Sequence, residues 1–150
     1  MKPLIVLLAA SLLIFIALKL IKGTKKHSQS ARIGMSVMLI FTALGHFLYT
    51  DGMAMMIPDG IPYKIELVYI TGVLEIFGAI GLQIPAFRKV TAWLLIIFFI
   101  LMLPANINAS IQHLNYQTGI FDGHGLDYLW FRIPLQLLFI GWVYCSAIKK

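Results

Sequence analysis

Glu75 lies near the middle of an apolar run that extends from Ile65 to Ile84. A run of about 20 residues crosses a bilayer as a helix, and a carboxylate at its centre costs roughly 3 kcal/mol on insertion scales. Residues of this kind face the interior of a helix bundle, where they bind a ligand, move protons or pair with a polar partner. Glu75 therefore predicts a polar site inside the membrane, with partners on other segments.

Polar residues at helical spacing on three other apolar segments are the candidate partners. They are Thr42, His46 and Thr50 in one segment, Asn106, Ser110 and His113 in another, and Arg132 and Gln136 in the last. Positions three, four or seven apart share a helix face. By residue count, His46 and Arg132 lie nearest the outer surface. Asn106 and Gln136 lie deeper, and Glu75 lies deepest. The pattern predicts an outward-opening cleft with Glu75 near its floor, and these five residues are the ligand-binding candidates.

The same residues also have a structural interpretation. Glu75 would then anchor the bundle through hydrogen bonds to Asn106, Gln136 or Arg132, and His46 would bridge two helices. Close packing around Glu75 is favoured by a face of small residues, namely Thr71, Gly72, Gly78 and Ala79. Arg132 lies near enough to the interface for its head to reach the lipid headgroups. Both interpretations place Glu75 inside the bundle.

Two other kinds of site fit the pattern less well. Glu66 precedes Glu75 by nine residues, roughly 900° of helical rotation, so the two carboxylates lie on opposite faces and form no acid/base pair. Met53, Met55 and Met56 offer soft ligands for Cu(I), but interfacial packing explains them better. No metal site is predicted.

The composition is that of a one-domain membrane protein. Hydrophobic residues form 60% of the 150 residues and charged residues 12%, against roughly 45–50% and 25% in soluble domains. The net charge of +6 comes from residues at segment ends, so it indicates orientation and anionic headgroups rather than nucleic acid. The single cysteine, Cys145, excludes an internal disulfide and a CxxC redox pair.

Five apolar segments predict an all-α, polytopic membrane protein with a single membrane domain over residues 1–150. The segments run from about Pro3 to Ile21, Ile33 to Tyr49, Ile65 to Ile84, Val90 to Ile111 and Tyr128 to Ile148. The first has almost no polar residues and no small-residue cleavage pattern, so we expect a retained helix at the edge of the other four. Tyr116, Tyr128, Trp130 and Phe131 are expected to form an interfacial aromatic belt.

The charges in the connections alternate in sign. The first and third connections and the C-terminus are basic, and the second and fourth connections are acidic; the basic residues are Lys22, Lys25, Lys26, Arg32, Arg88, Lys89, Lys149 and Lys150. Five crossings require this alternation. The positive-inside rule then places the N-terminus outside and the C-terminus in the cytoplasm.

Short motifs follow one another along the chain: Arg32-Ile33-Gly34, Gly45-His46-Phe47, Met56-Ile57-Pro58, Gly72-Val73-Leu74-Glu75 with Gly78 and Gly81, Leu82-Gln83-Ile84-Pro85, Pro104-Ala105-Asn106-Ile107 and Arg132-Ile133-Pro134-Leu135-Gln136. In their order and spacing they resemble the DoxX-like family of small bacterial membrane proteins, over most of the chain. The resemblance implies a four-helix transmembrane bundle over about residues 32–148. The segment at about residues 3–21 would be one extra N-terminal transmembrane helix. The location implied is the bacterial cytoplasmic membrane.

The resemblance also implies a function for the cleft. Some family members are named as subunits of thiosulfate:quinone oxidoreductases or of thiol-oxidation complexes. We therefore expect the cleft to bind a quinone or a lipid-like ligand, with the chain serving as a subunit of a membrane redox complex. The five candidates match the family's polar intramembrane positions. Because the chain has no cofactor-binding motif, a redox role requires a partner subunit or a bound quinone. The alternative is a non-enzymatic assembly or interaction subunit that binds a client protein, with a purely structural polar cluster.

Overall fold

The computed structural model describes residues 2–22 and 27–149, and this part of the chain is helical apart from its loops and an isolated antiparallel bridge between Asn115 and Ile120. The helices are α1 (Lys2–Lys22), α2 (His27–Leu48), α3 (Thr50–Met56), α4 (Lys64–Gly81), α5 (Arg88–Leu101), α6 (Leu103–Ile111) and α7 (Leu126–Val143). One π-helical turn at Tyr144–Ile148 continues α7. Lys25, Lys26 and Lys150, on which the charge pattern partly depends, lie outside the described residues.

Four helical segments of the described part are long and apolar enough to cross a membrane. They are Lys2–Ile21, His27–Leu48, Arg88–Ile111 and Leu126–Ile148. Together they indicate a multi-pass membrane protein. α4 is not among them, since its 18 residues include Lys64, Glu66 and Glu75. The fifth crossing therefore stays a prediction, as do the bundle count and the role of α1 as an extra helix.

Close contact between α2 and α4 depends on a glycine. A Cβ atom added to Gly72 would lie 2.9 Å from the Cβ of His46 and 3.4 Å from the ring of Phe47. Any larger residue at this position would push the two helices apart. Gly72 thus sets the distance at which α4 presents Glu75 to α2.

The core lies at the opposite end of the helices from the α3 region. Its buried members come from α1, α2, α4, α5, α7 and the π-helical turn, and include Leu7, Met35, Leu39, Leu82, Leu95, Val143 and Ala147. The Ser36 hydroxyl donates to the Ala79 carbonyl at 2.7 Å and accepts from Gln83 Nε2 at 2.7 Å. Arg32 donates to the carbonyl of Ser146. These bonds join α2 to the last turn of α4 and to the end of the chain.

The fourth apolar segment is two helices rather than one. α5 ends at Leu101 and α6 starts at Leu103, with Pro104 near the start of α6. Proline has no N–H to donate, and its ring clashes with the carbonyl four residues earlier, so the helix breaks there. Pro134 lies inside α7, which continues through it.

Candidate ligand-binding site

A cavity of ≈ 730 Å³ lies among α2, α4, the α5–α6 segment and α7. This volume falls within the usual range for small-molecule sites, about 300–1,000 Å³. All five residues proposed from the sequence, Glu75, His46, Asn106, Arg132 and Gln136, line it. Most of the remaining lining is apolar and includes Met38, Phe41, Leu44, Phe98, Phe99 and Phe139. The structure therefore brings the predicted polar set together in a largely apolar cavity.

Glu75 reaches the cavity from the face of α4 that packs on α2. Its carboxylate is buried, with 6% of the residue exposed, and Oε2 lies 3.7 Å from Nε2 of His46. The Thr42 hydroxyl of α2 lies beside the same carboxylate. The charge of Arg132 on α7 also attracts it. Oε2 has no hydrogen-bond partner among the described residues, so the pair with His46 leaves it open to a further donor.

The tautomer of His46 follows from its neighbours. Nδ1 lies 3.1 Å from the carbonyl oxygen of Val68, which only accepts hydrogen bonds. The Thr71 hydroxyl, also 3.1 Å from Nδ1, donates to the carbonyls of Leu67 and Val68 and can accept from the ring. Nδ1 therefore carries the hydrogen. In the neutral ring Nε2 is bare, and its lone pair faces Glu75.

Two carboxamides turn their nitrogen atoms to the backbone and away from the cavity. Asn106 Nδ2 donates to the Met102 carbonyl at 2.8 Å, and Gln136 Nε2 donates to the Phe99 carbonyl. Because a carbonyl cannot donate, neither amide can be flipped without losing its bond. Asn106 Oδ1 is buried and has no partner among the described residues. It can only accept a hydrogen bond.

Arg132 forms no hydrogen bond or close ion pair within the described part of the chain. Its Nε is buried and makes no hydrogen bond to any described residue, and neither of the two ion pairs in the described part includes it. Glu75 Oε2, Asn106 Oδ1 and Arg132 Nε are three of the five buried side-chain atoms without partners in this part of the chain, and all three belong to the cavity lining. Buried polar groups normally find partners. These three atoms are therefore free to bond to a molecule that enters the cavity.

The α6–α7 loop covers one end of the cavity. Tyr116 and Gln117 line it, and the ring of Tyr116 packs edge-on against Tyr49 at a centroid distance of 6.2 Å. The backbone of Tyr116 lies so close to Gly52 of α3 that no side chain would fit between them. Burial raises the pKa of Tyr116. Tyr116 and Tyr128, which the sequence assigned to an aromatic belt, both line the cavity, and the belt itself stays a prediction.

The cavity is not closed off on all sides. Leu44 and Leu48 of α2 and Leu101 of α5 line the cavity, yet they are 55%, 73% and 65% exposed. Side chains that both line a cavity and remain exposed mark its edge, so these leucines border an opening toward the surroundings of the bundle.

Some polar residues of the predicted set lie elsewhere. His113 was expected on the face of Asn106 and Ser110, but α6 ends at Ile111 and His113 has a φ of 53°. Its ring packs against Gly125. Ser110 donates back to the carbonyl of Asn106. The Thr50 hydroxyl likewise donates to the backbone carbonyls of His46 and Phe47.

Glu66 lies apart from Glu75. It lines a separate surface pocket with Lys64, Asp59 and Gln112. The two carboxylates do not form a pair, as their spacing predicts.

A family model described as a domain of unknown function, DUF8561, matches residues 35–147. The chain belongs to the DUF8561 family. The matched region begins inside α2, so it contains all five lining candidates and leaves α1 outside. No curated protein and no solved structure is significantly similar to the chain. The resemblance of this DUF8561 protein to the DoxX-like family stays a prediction.

Proposed function

We propose that the protein binds an amphipathic molecule from the bilayer, a quinone or a lipid, with its polar head between Glu75, Asn106 and Arg132. The observation that carries this proposal is the group of three buried, unpartnered polar atoms in one apolar cavity. An unsatisfied buried donor or acceptor costs about 1–3 kcal/mol, and a ligand head would remove three such costs together. The exposed apolar edge of the cavity supports entry from the bilayer, because an apolar tail can remain against Leu44, Leu48 and Leu101.

The proposal includes five crossings, with α4 as the third. Its 18 residues are about 27 Å long as a helix, close to the hydrocarbon thickness of about 30 Å. The N-terminus would be outside and the C-terminus in the cytoplasm of a bacterial cell. This topology places the Tyr116 end of the cavity at the outer side of the cytoplasmic membrane.

The redox form of the proposal assigns proton handling to the His46–Glu75 pair. Nε2 of His46 faces Glu75 Oε2 at 3.7 Å, a separation that a small side-chain movement closes to hydrogen-bonding distance. A proton from a bound head can then be shared between the two groups. A partner subunit would exchange the electrons, as the resemblance to the DoxX-like family implies.

The first experiment compares two glutamates of α4. The protein is extracted in a mild detergent and its bound lipids and quinones are measured by mass spectrometry. We expect a stoichiometric ligand that is lost from Glu75→Gln but retained by Glu66→Gln, whose side chain lies outside the cavity. A buried polar group of the head left unpaired costs about 1–3 kcal/mol, which corresponds to about 5–150-fold in affinity. Equal ligand content in wild type and Glu75→Gln would remove the proposal.

A second candidate function is a non-enzymatic assembly subunit, and one observation favours it. His46 already bonds to Val68 and Thr71 of α4, so the polar pair also holds α2 and α4 in register. This function predicts that Glu75→Gln lowers the melting temperature while the protein still purifies with its client. An unchanged melting temperature together with a lost ligand would rule it out.

A further inference from the structure

Two of the three buried atoms of the cavity that lack a partner among the described residues are side-chain oxygens, Glu75 Oε2 and Asn106 Oδ1. Asn106 Oδ1 is a buried oxygen without a partner in the described part. Gln136 also lines the cavity, and its Nε2 donates to the Phe99 carbonyl, so Oε1 is the atom of this amide that can accept a hydrogen bond. Arg132 Nε is a donor without a partner. A complementary head must therefore donate to Asn106 Oδ1 and accept from the guanidinium.

Oxidised and reduced heads differ in this respect. A quinone carries carbonyl oxygens, which can accept from Arg132 but have no hydrogen to give to Asn106 or Gln136. A hydroxyl group both donates and accepts. An unpaired buried acceptor penalises binding even when the apolar contacts are unchanged. The cavity thus discriminates between a carbonyl head and a hydroxyl head of the same shape.

We infer that the ligand of this cavity carries a hydroxyl-bearing head, as a quinol or a hydroxylated neutral lipid does, and that the oxidised quinone is the weaker ligand. This inference rests on the proposed function and specifies its ligand class. The apolar edge of the cavity accepts either tail, since Leu44, Leu48 and Leu101 offer no polar group that would distinguish an isoprenoid from an acyl chain.

The test measures binding of three probes to the full-length protein in detergent, without oxygen. The probes are decylubiquinol, decylubiquinone with the same tail, and a monoacylglycerol as hydroxylated lipid. Titration calorimetry gives each affinity. We expect the quinol to bind at least about fivefold more tightly than the quinone, the value of one ordinary hydrogen bond. If the monoacylglycerol displaces the quinol, the preference for a hydroxyl-bearing head is supported. The natural ligand is then a hydroxylated lipid rather than a quinol.

Two asparagines of α6 provide matched variants. Asn106→Leu removes the cavity acceptor and should bring the quinol-to-quinone ratio close to one. Asn108 does not line the cavity, and its amide donates to the backbone carbonyl of Met56. Asn108→Leu should therefore keep the wild-type ratio. Asn106→Asp retains an acceptor oxygen and should retain the preference, which provides a second check if the leucine variant does not fold.

The two proposals fail in different ways. Binding of the quinone as tightly as the quinol would overturn the inference and leave the proposed function in place. Absence of binding by all three probes, with no ligand retained from the membrane, would overturn both. If Asn106→Leu still prefers the quinol to the quinone, a group other than Asn106 distinguishes the two heads. That result would also overturn the inference.

Discussion

Replacing Gly72 by alanine tests whether the α2–α4 contact is as close as the site requires. The added Cβ would lie 2.9 Å from His46 Cβ, 3.4 Å from His46 Cγ and 3.4 Å from a ring carbon of Phe47. A Cβ atom moves only with its backbone, so relief requires the two helices to separate. Overpacking of this kind costs about 1–3 kcal/mol. The better helix propensity of alanine returns about 0.5–1 kcal/mol, so we expect a net loss of about 1–2 kcal/mol.

Gly141 offers a matched control on α7. It is exposed, and an added Cβ would meet nothing within 4 Å. Gly141→Ala should therefore gain the stability that comes from the higher helix propensity of alanine, without any cost from a clash. For a chain of this size, roughly 2–4 °C of melting temperature correspond to 1 kcal/mol. We expect Gly72→Ala to melt about 2–8 °C below wild type and Gly141→Ala at or slightly above it.

Thermal unfolding of the purified protein in detergent, followed by intrinsic tryptophan fluorescence, measures both variants. The prediction depends on close contact between α2 and α4 at Gly72. The difference in melting temperature between the two variants tests that contact. A Gly72→Ala protein as stable as Gly141→Ala would mean that α2 and α4 are further apart than the distances given above. The His46–Glu75 pair would then be too loose to hold a ligand head.

Two further predictions concern other parts of the molecule. Ser36→Ala should cost about 1–3 kcal/mol, because it leaves the Ala79 carbonyl and the Gln83 amide without a partner. Ser36→Ala with Gln83→Leu should recover part of that loss in the same melting assay, and a strictly additive loss would contradict the bond. Burial raises the pKa of Tyr116, so the unfolded chain ionises first as pH rises through about 10, and stability falls there. Tyr116→Phe should lose less stability between neutral and alkaline pH in melting curves, whereas an identical decline would count against burial of this hydroxyl.

The sequence predicts the helices well because the bilayer requires them. Backbone groups in hydrocarbon must bond within their own segment, so an apolar run of sufficient length becomes a helix. The all-helical class and four long apolar helices are confirmed. α3 is different, since seven residues do not form a stable helix alone. α3 packs through Gly52 against the backbone of Tyr116, which is more than 60 positions away in the sequence. The residues around α3 do not predict this contact.

The lining residues were predictable for a similar reason. A helix converts residue number into depth and angle, so polar residues on separate helices can be placed at one level. This reasoning fails where the helix ends. His113 was placed on the face of Asn106 by counting past Ile111, the last residue of α6. The position of Tyr116 in the cavity lining could not be predicted for the same reason. A loop has no fixed period, so the sequence does not show where its side chains point.

α1 extends the cavity beyond the region that the family model matches. Its Ser11 packs on Gly34 and its Phe15 stacks on His27, so it runs antiparallel to α2. That direction brings Lys2 and Pro3 to the C-terminal half of α2, where both line the cavity. With Leu44 they form part of the border of the cavity. The polar floor of the site therefore comes from the matched region, whereas part of its border comes from a helix outside that region.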